Sequence, residues 1–321
     1  MTSALETGDP LGSAVAAGLV SAREAAGGGV AVDNGRLLLN GRPIADAVTG
    51  AEARSLGLLA GTGLVPELAE GHQQRWAMVV RGTPLTTVTG SMGDLAACCQ
   101  AWGATLATLH LVRIGAGGDP PVAPRPWVLD PDRLPRGMRQ APAGSARAYV
   151  LRTVRSDRGL LRTVEGVADH WATDHWTHGD LTADRVLVQT TPDVRVRFVD
   201  LSSGGLGDAG WDLAGALETV AALTAGPWAP WGSASGACLT DYLLQGYRRA
   251  GGVASPSRGV RALRIVSRAW DAAVALDATS AHPASLHPAS GYAAEATRLT
   301  ERLAAARELA HRSARLGLVA A

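Results

Sequence analysis

Short apolar runs broken by Asn-Gly pairs begin at Val30. They are Val30-Ala-Val, then Asp33-Asn34-Gly35, Arg36-Leu-Leu-Leu39, Asn40-Gly41 and Arg42-Pro-Ile-Ala. Asn and Gly tolerate positive φ, which a two-residue connection between twisted strands requires, so this pattern predicts a small antiparallel sheet. From Thr49 the period changes. Glu52, Leu56, Leu59 and Ala60 recur at helical spacing until Gly61-Thr-Gly-Leu-Val-Pro66 ends the helix. Arg75-Trp-Ala-Met-Val-Val-Arg81 reads as a buried strand, with Gly82-Thr-Pro84 as the break after it. Upstream, residues 1–25 form an N-terminal arm or helix, with one weakly amphipathic stretch that ends in Gly27-Gly-Gly29.

The remainder is mostly helical in period. The stretch from Gly93 to Val112 puts Leu95, Cys98, Trp102, Leu106 and Leu109 on one face and should pack deeply. Between Gly115 and Gly144, Pro, Gly and Arg dominate, which predicts an irregular excursion over the surface. Helices are expected over 146–155 and 160–171, then strands over 186–189 and 194–199 around the turn Thr190-Thr-Pro-Asp193. Further helices are expected over 211–223, 237–250, 258–276 and 292–314. The fold class is therefore α+β, with a small sheet-plus-helix lobe over 26–88 and a large, mostly helical lobe over 89–321.

Composition removes several function classes. The formal net charge of +1 leaves no global field for nucleic acid or an anionic membrane, and no apolar run reaches the ~20 residues of a membrane span. All 30 basic residues are arginine, so no step can use a lysine ammonium. Cys98, Cys99 and Cys238 are too few for a disulfide framework and are read as buried thiols in a reducing, cytoplasmic setting.

The candidate chemistry lies in His178-Gly-Asp180-Leu-Thr-Ala-Asp-Arg185-Val-Leu-Val188, followed by Arg197-Phe-Val-Asp200 and Gly207-Asp208-Ala-Gly-Trp-Asp212-Leu-Ala214. Asp180 precedes one short apolar run and Asp200 ends the next, so a hairpin would bring the two acids together. An acid such as Asp180 can accept a hydroxyl proton during attack on phosphorus, and one such as Asp200 can hold Mg²⁺ on phosphates. His178 is read as bracing the loop by hydrogen bonding.

These motifs, in this order, resemble the aminoglycoside phosphotransferase and choline kinase-like family of the protein-kinase-like fold. Glu52-Ala-Arg-Ser-Leu with Gly63-Leu-Val-Pro66, and Leu106-Ala-Thr-Leu-His110, extend the resemblance over roughly residues 50 to 225. The resemblance implies a two-lobed fold with ATP or GTP between the lobes, Asp180 as catalytic base and Asp200 as metal ligand. It places the nucleotide contacts at Glu52, Arg42, Val79 and Arg81. Asp208 would follow a tight glycine turn and Asp212 would cap the helix that starts near Trp211.

The chain departs from that pattern in three places. Arg185 stands where the family carries a metal-binding Asn, the phosphate-binding Lys is missing, with Arg42 as its positional substitute, and no long glycine-rich loop precedes Glu52. Two readings follow. In one, the chain is a pseudokinase that needs no cofactor, pairs Arg185 with Asp200 or Asp180, and binds a peptide or a partner enzyme. In the other, it is an active Mg-ATP-dependent phosphotransferase acting on a hydroxyl of a peptide Ser or Thr or of a small molecule, with Arg185 as a phosphate clamp. Trp228 and Trp231, in a loop where Pro and Gly exclude a helix, are candidates for an acceptor or partner surface. The chain also resembles the kinase-like components that accompany lyases in peptide natural-product maturation, which implies a peptide substrate or a lyase-type partner.

Overall fold

The structure is a computed structural model that describes residues 30–33, 36–39, 42–48, 50–70, 75–78, 82–113, 119–134, 138, 141–190, 192–225, 231, 236–281 and 289–315. The expected arm at residues 1–25 lies outside them. Contacts divide the chain into two compact units.

The first unit runs to Ala123 and adds His175–Leu206 and Thr219–Val253. It contains a five-stranded antiparallel sheet of β1 (Val30–Asp33), β2 (Arg36–Leu39), β3 (Arg42–Val48), β4 (Leu68–Glu70) and β5 (Arg75–Met78), in the order β1-β2-β3-β5-β4. Asp33 faces Arg36 and Leu39 faces Arg42, the register that two-residue connections impose. The pairing of β2 with β3 slips between Leu37 and Leu38, next to Pro43. Proline has no N–H to give the ladder, so an irregularity is where a paired strand tolerates it. Helix α1 (Gly50–Leu58) follows, with Ala53, Ser55 and Leu56 buried.

Helix α2 (Met92–His110) starts at a capping box. Ser91 accepts from the Asp94 amide, and the Asp94 carboxylate accepts from the Ser91 amide and hydroxyl. The predicted face, Leu95, Cys98, Trp102, Leu106 and Leu109, is buried along its length. It packs on α6 (Gly236–Arg249) at backbone distance. A Cβ on Gly103 would lie 2.0 Å from Leu243 O, and one on Gly246 would lie 2.0 Å from Gln100 O. Glycine is required at both positions for the helices to approach so closely.

A three-stranded antiparallel sheet, β6 (Thr83–Pro84), β8 (Val186–Gln189) and β9 (Arg195–Phe198), is ordered β6-β8-β9, with Pro84 on an edge strand. Phe198 N–H donates to Leu64 O at 2.8 Å and ties β9 to the segment after α1. Strands β7 (His175–Thr177) and β10 (Gly205–Gly207) pair with each other.

The second unit comprises Pro124–Asp174, Gly207–Glu218 and the chain from Ala254 onward. It is built on α3 (Ala146–Ser156), α4 (Arg158–Asp169), the first part of α5 (Ala209–Thr224), α7 (Arg258–Ala281) and α8 (Ala289–Arg315). Val150, Val154, Leu160, Leu263, Val266 and Leu303 form its core. Arg264 is buried there, its Cζ 5.0 Å from the centre of the Trp211 ring, a cation–π contact.

Two expectations are corrected in this unit. The segment between Gly115 and Gly144 is more than a surface excursion, because Val128, Leu129 and Leu134 are buried in the core cluster. These three apolar side chains anchor a proline-rich backbone in which Trp127–Leu129 forms a 3₁₀ turn. Asp212 is not the cap of α5. Asp208 Oδ1 accepts from Gly210 N at 2.7 Å and from Trp211 N at 3.2 Å, while Asp212 sits inside the first turn, fully buried. The helix starts two residues earlier than its apolar period suggests, so the capping role falls to the earlier acid.

Candidate functional site

The site is a loop and a strand end of the first unit. Gly179, at φ 81°, turns the chain from β7 into the loop, and a Cβ there would lie 2.2 Å from Ser203 O. Glycine is thus imposed between His178 and Asp180 by both conformation and space. His178 is wholly buried. Its Nε2 lies 2.9 Å from Val199 O, its Nδ1 lies 3.4 Å from the Asp180 amide nitrogen, and Phe198 packs against the ring at 5.9 Å. A carbonyl needs a donor and an amide an acceptor, so the ring carries its proton on Nε2. His178 therefore links the loop bearing Asp180 to the strand end bearing Asp200.

After Asp180 the chain forms a 3₁₀ turn, Ala183–Arg185, with Arg185 N–H donating to Thr182 O at 3.1 Å. Val199 N–H donates to Arg185 O at 3.0 Å, which fixes the Arg185 backbone beside the residue preceding Asp200. From that anchor the guanidinium reaches both acids. Nη1 donates to the Asp180 main-chain oxygen at 3.1 Å and also to its carboxylate, while Nη2 lies 2.9 Å from Asp200 Oδ2. The sequence left Asp180 and Asp200 as alternative partners, and Arg185 holds them together. Ser202, which the sequence reading passed over, donates its hydroxyl to Asp200 Oδ1 at 2.7 Å. An Asp-x-Ser spacing at a strand end could have signalled it.

All three charged side chains are partly exposed, with 25% for Arg185, 35% for Asp180 and 41% for Asp200. Each pair on its own therefore contributes little, roughly 0.2–1 kcal/mol. The shared guanidinium matters more for what it excludes. Arginine has no lone pair to offer a cation. A dication 4 Å from it would be repelled by about 8 kcal/mol at an effective dielectric constant of 20. Among the described residues, no three His, Cys, Asp or Glu side chains converge as a metal site. With Asp200 Oδ2 on Arg185 and Oδ1 on Ser202, the arrangement does not fit Mg²⁺.

Of the other expected residues, two belong to the helix and sheet of the first unit. Glu52 is in the first turn of α1, half-buried, and Arg42 opens β3 opposite Leu39. Val79, Arg81 and Trp228 fall outside the described residues. Trp231 presents no outer surface. It is 5% exposed, and its indole Nε1–H donates to Val88 O at 3.1 Å, which ties this side chain to the segment before α2.

Sheet, helix order and acid loop together define a two-lobed α+β fold of the protein-kinase-like class. Solved structures share it. An aminoglycoside phosphotransferase-type protein of Ralstonia eutropha JMP134 matches with a TM-score of 0.55 at 16% identity, over 88% of this chain and 92% of that one. Aminoglycoside phosphotransferase APH(4)-Ia matches with 0.52 at 13%, over 87% and 92%. Plasmodium vivax ethanolamine kinase matches with 0.51 at 12%, over 89% and 84%. At these identities the likeness is one of fold. The sequence profile of the phosphotransferase enzyme family matches residues 30–263, and the chain belongs to that family. No curated protein matches the sequence. No helix among the described residues is long and apolar enough to cross a membrane.

Proposed function

We propose that this kinase-like member of the phosphotransferase family acts as a binding module, in which Arg185 supplies the positive charge that a divalent cation supplies in Mg²⁺-dependent phosphoryl transfer. One observation carries the reading: a single guanidinium bridges the carboxylates of Asp180 and Asp200. Positioning and charge neutralisation account for most of phosphoryl-transfer catalysis. Here the neutralising charge is spent inside the protein, and Asp180 is turned from a free base into an ion-pair partner. The retention of both acids, with Asp200 held at φ 58°, favours a second reading. In that one, ATP and Mg²⁺ displace Arg185 outward and it clamps phosphate, with Asp180 as base.

Thermal-shift titration with ATP in Mg²⁺ and in EDTA separates the two, because a ligand that binds the native state raises its stability, by about 2.7 kcal/mol at a hundredfold excess over Kd. The binding-module reading expects no Mg²⁺-dependent shift in the wild type and the appearance of one in Arg185→Asn, which restores a neutral oxygen donor. A Mg²⁺-dependent shift in the wild type that Asp200→Asn removes would overturn it in favour of the enzyme.

A further inference from the structure

We propose that the second unit carries an anion-binding pocket for the phosphate group of a small molecule, at the junction of α3, α4 and α8 and separate from the Asp180–Asp200 site. The junction is built around Asp157, the residue that both ends α3 and caps α4. Asp157 is buried, and its Oδ1 accepts from Gly159 N at 2.9 Å and Leu160 N at 3.0 Å, with His311 Nε2 at 3.4 Å. Its Oδ2 accepts from Arg307 Nε at 2.6 Å. The carboxylate is thus committed on both oxygens to neighbours within the unit.

Beside it opens a cavity of about 460 Å³, within the usual range for small-molecule sites. Its walls carry three guanidinium groups, Arg152, Arg158 and Arg307, and Asp157 is their only acid. Three positive charges against one negative leave an excess of two before His311 is counted. Arg307 meets Asp157 through Nε, so its terminal nitrogens are not part of that bond. Neither Arg152 nor Arg158 has an ion pair among the described residues, and both are exposed. Like charges gathered around a concavity without enough acids to match them raise the local potential and favour an anion. Arginine donors in a fork suit the tetrahedral oxygens of a phosphate, and Tyr149 lines the same cavity. The α4 amides at Gly159 and Leu160 are already satisfied by Asp157, so recognition rests on the side chains.

Isothermal titration calorimetry of the full chain with inorganic phosphate, and separately with glycerol 3-phosphate, tests this. Both probes should bind saturably, and Arg152→Gln combined with Arg158→Gln should raise Kd about tenfold or more, the scale of one lost charge-assisted hydrogen bond. Both positions are exposed, so the double variant should keep the wild-type Tm and fold. Arg185→Asn should leave the phosphate Kd unchanged. Failure of both probes to bind, an unaltered Kd in the double variant, or loss of binding in Arg185→Asn would each overturn the assignment. The last outcome would move phosphate recognition to the Asp180–Asp200 loop. None of these results depends on whether the chain turns over ATP.

Discussion

Asp200 Oδ2 lies 2.9 Å from Arg185 Nη2, and Asp200 takes that position at φ 58°, the one left-handed non-glycine residue among those described. Left-handed backbone crowds a Cβ against the following carbonyl, at roughly 1–2 kcal/mol for an ordinary L-residue. Removing the carboxylate as Asp200→Ala loses the ion pair and keeps the crowding, while Asp200→Gly loses the pair and relieves it. The glycine variant should therefore be the more stable of the two by about 1 kcal/mol, read as a higher urea midpoint at equal m-value. An alanine variant that matches or exceeds it would show that the turn at Asp200 is not held in this conformation.

The contact between α2 and α6 makes a second prediction. A methyl on Gly246 has to push against the Gln100 carbonyl, a backbone atom with no rotamer to change. Gly246→Ala should cost about 1–3 kcal/mol. Gly57→Ala is the internal control. That glycine is exposed inside α1, and its Cβ would meet only Leu68 Cδ2 at 3.8 Å, so the variant should gain about 0.5–1 kcal/mol from helix propensity. Equal effects of the two substitutions in chemical denaturation would contradict the close packing described.

A third prediction concerns acid. Burial pushes the Asp157 carboxyl up, but hydrogen bonds from the Leu160 amide and Arg307, with the charges of His311 and Arg307, bring it below the ordinary value. A carboxyl whose folded pKa is depressed adds stability above its unfolded value, near ~3.9, and loses it as pH falls through the folded value. At pH 7 Asp157→Asn should be less stable than the wild type by roughly 1–3 kcal/mol, because charge-assisted bonds become neutral ones. Below about pH 4 the gap should narrow. A Tm difference that stays constant from pH 7 to about pH 3 would rule out this linkage.

The sheet hairpins and the long helices could be read directly from the sequence because each rests on a local signal. Asn34-Gly35 and Asn40-Gly41 sit between strands whose register matches two-residue connections, and Leu95, Cys98, Trp102 and Leu106 repeat with the helical period. The three-residue strands β4, β7 and β10 were not legible, since three positions are too few for alternation to show. The proline-rich segment concealed its buried anchors because Val128, Leu129 and Leu134 have no period of their own. At the site, the sequence pointed to Asp180, Asp200 and Arg185, but not to one guanidinium serving both acids. That depends on where the hairpin of β8 and β9 places the end of its second strand. The cavity beside Asp157 lay further out of reach, since Arg307 and Asp157 are 2.6 Å apart in space and half the chain apart in sequence.

Because the counter-charge between Asp180 and Asp200 is a side chain of the loop itself, it is present at a fixed one-to-one ratio with the acids. A chelator cannot extract it, and a fall in free magnesium cannot dilute it. The counter-charge of this loop is thus inherited with the sequence and does not depend on a supply of metal ions.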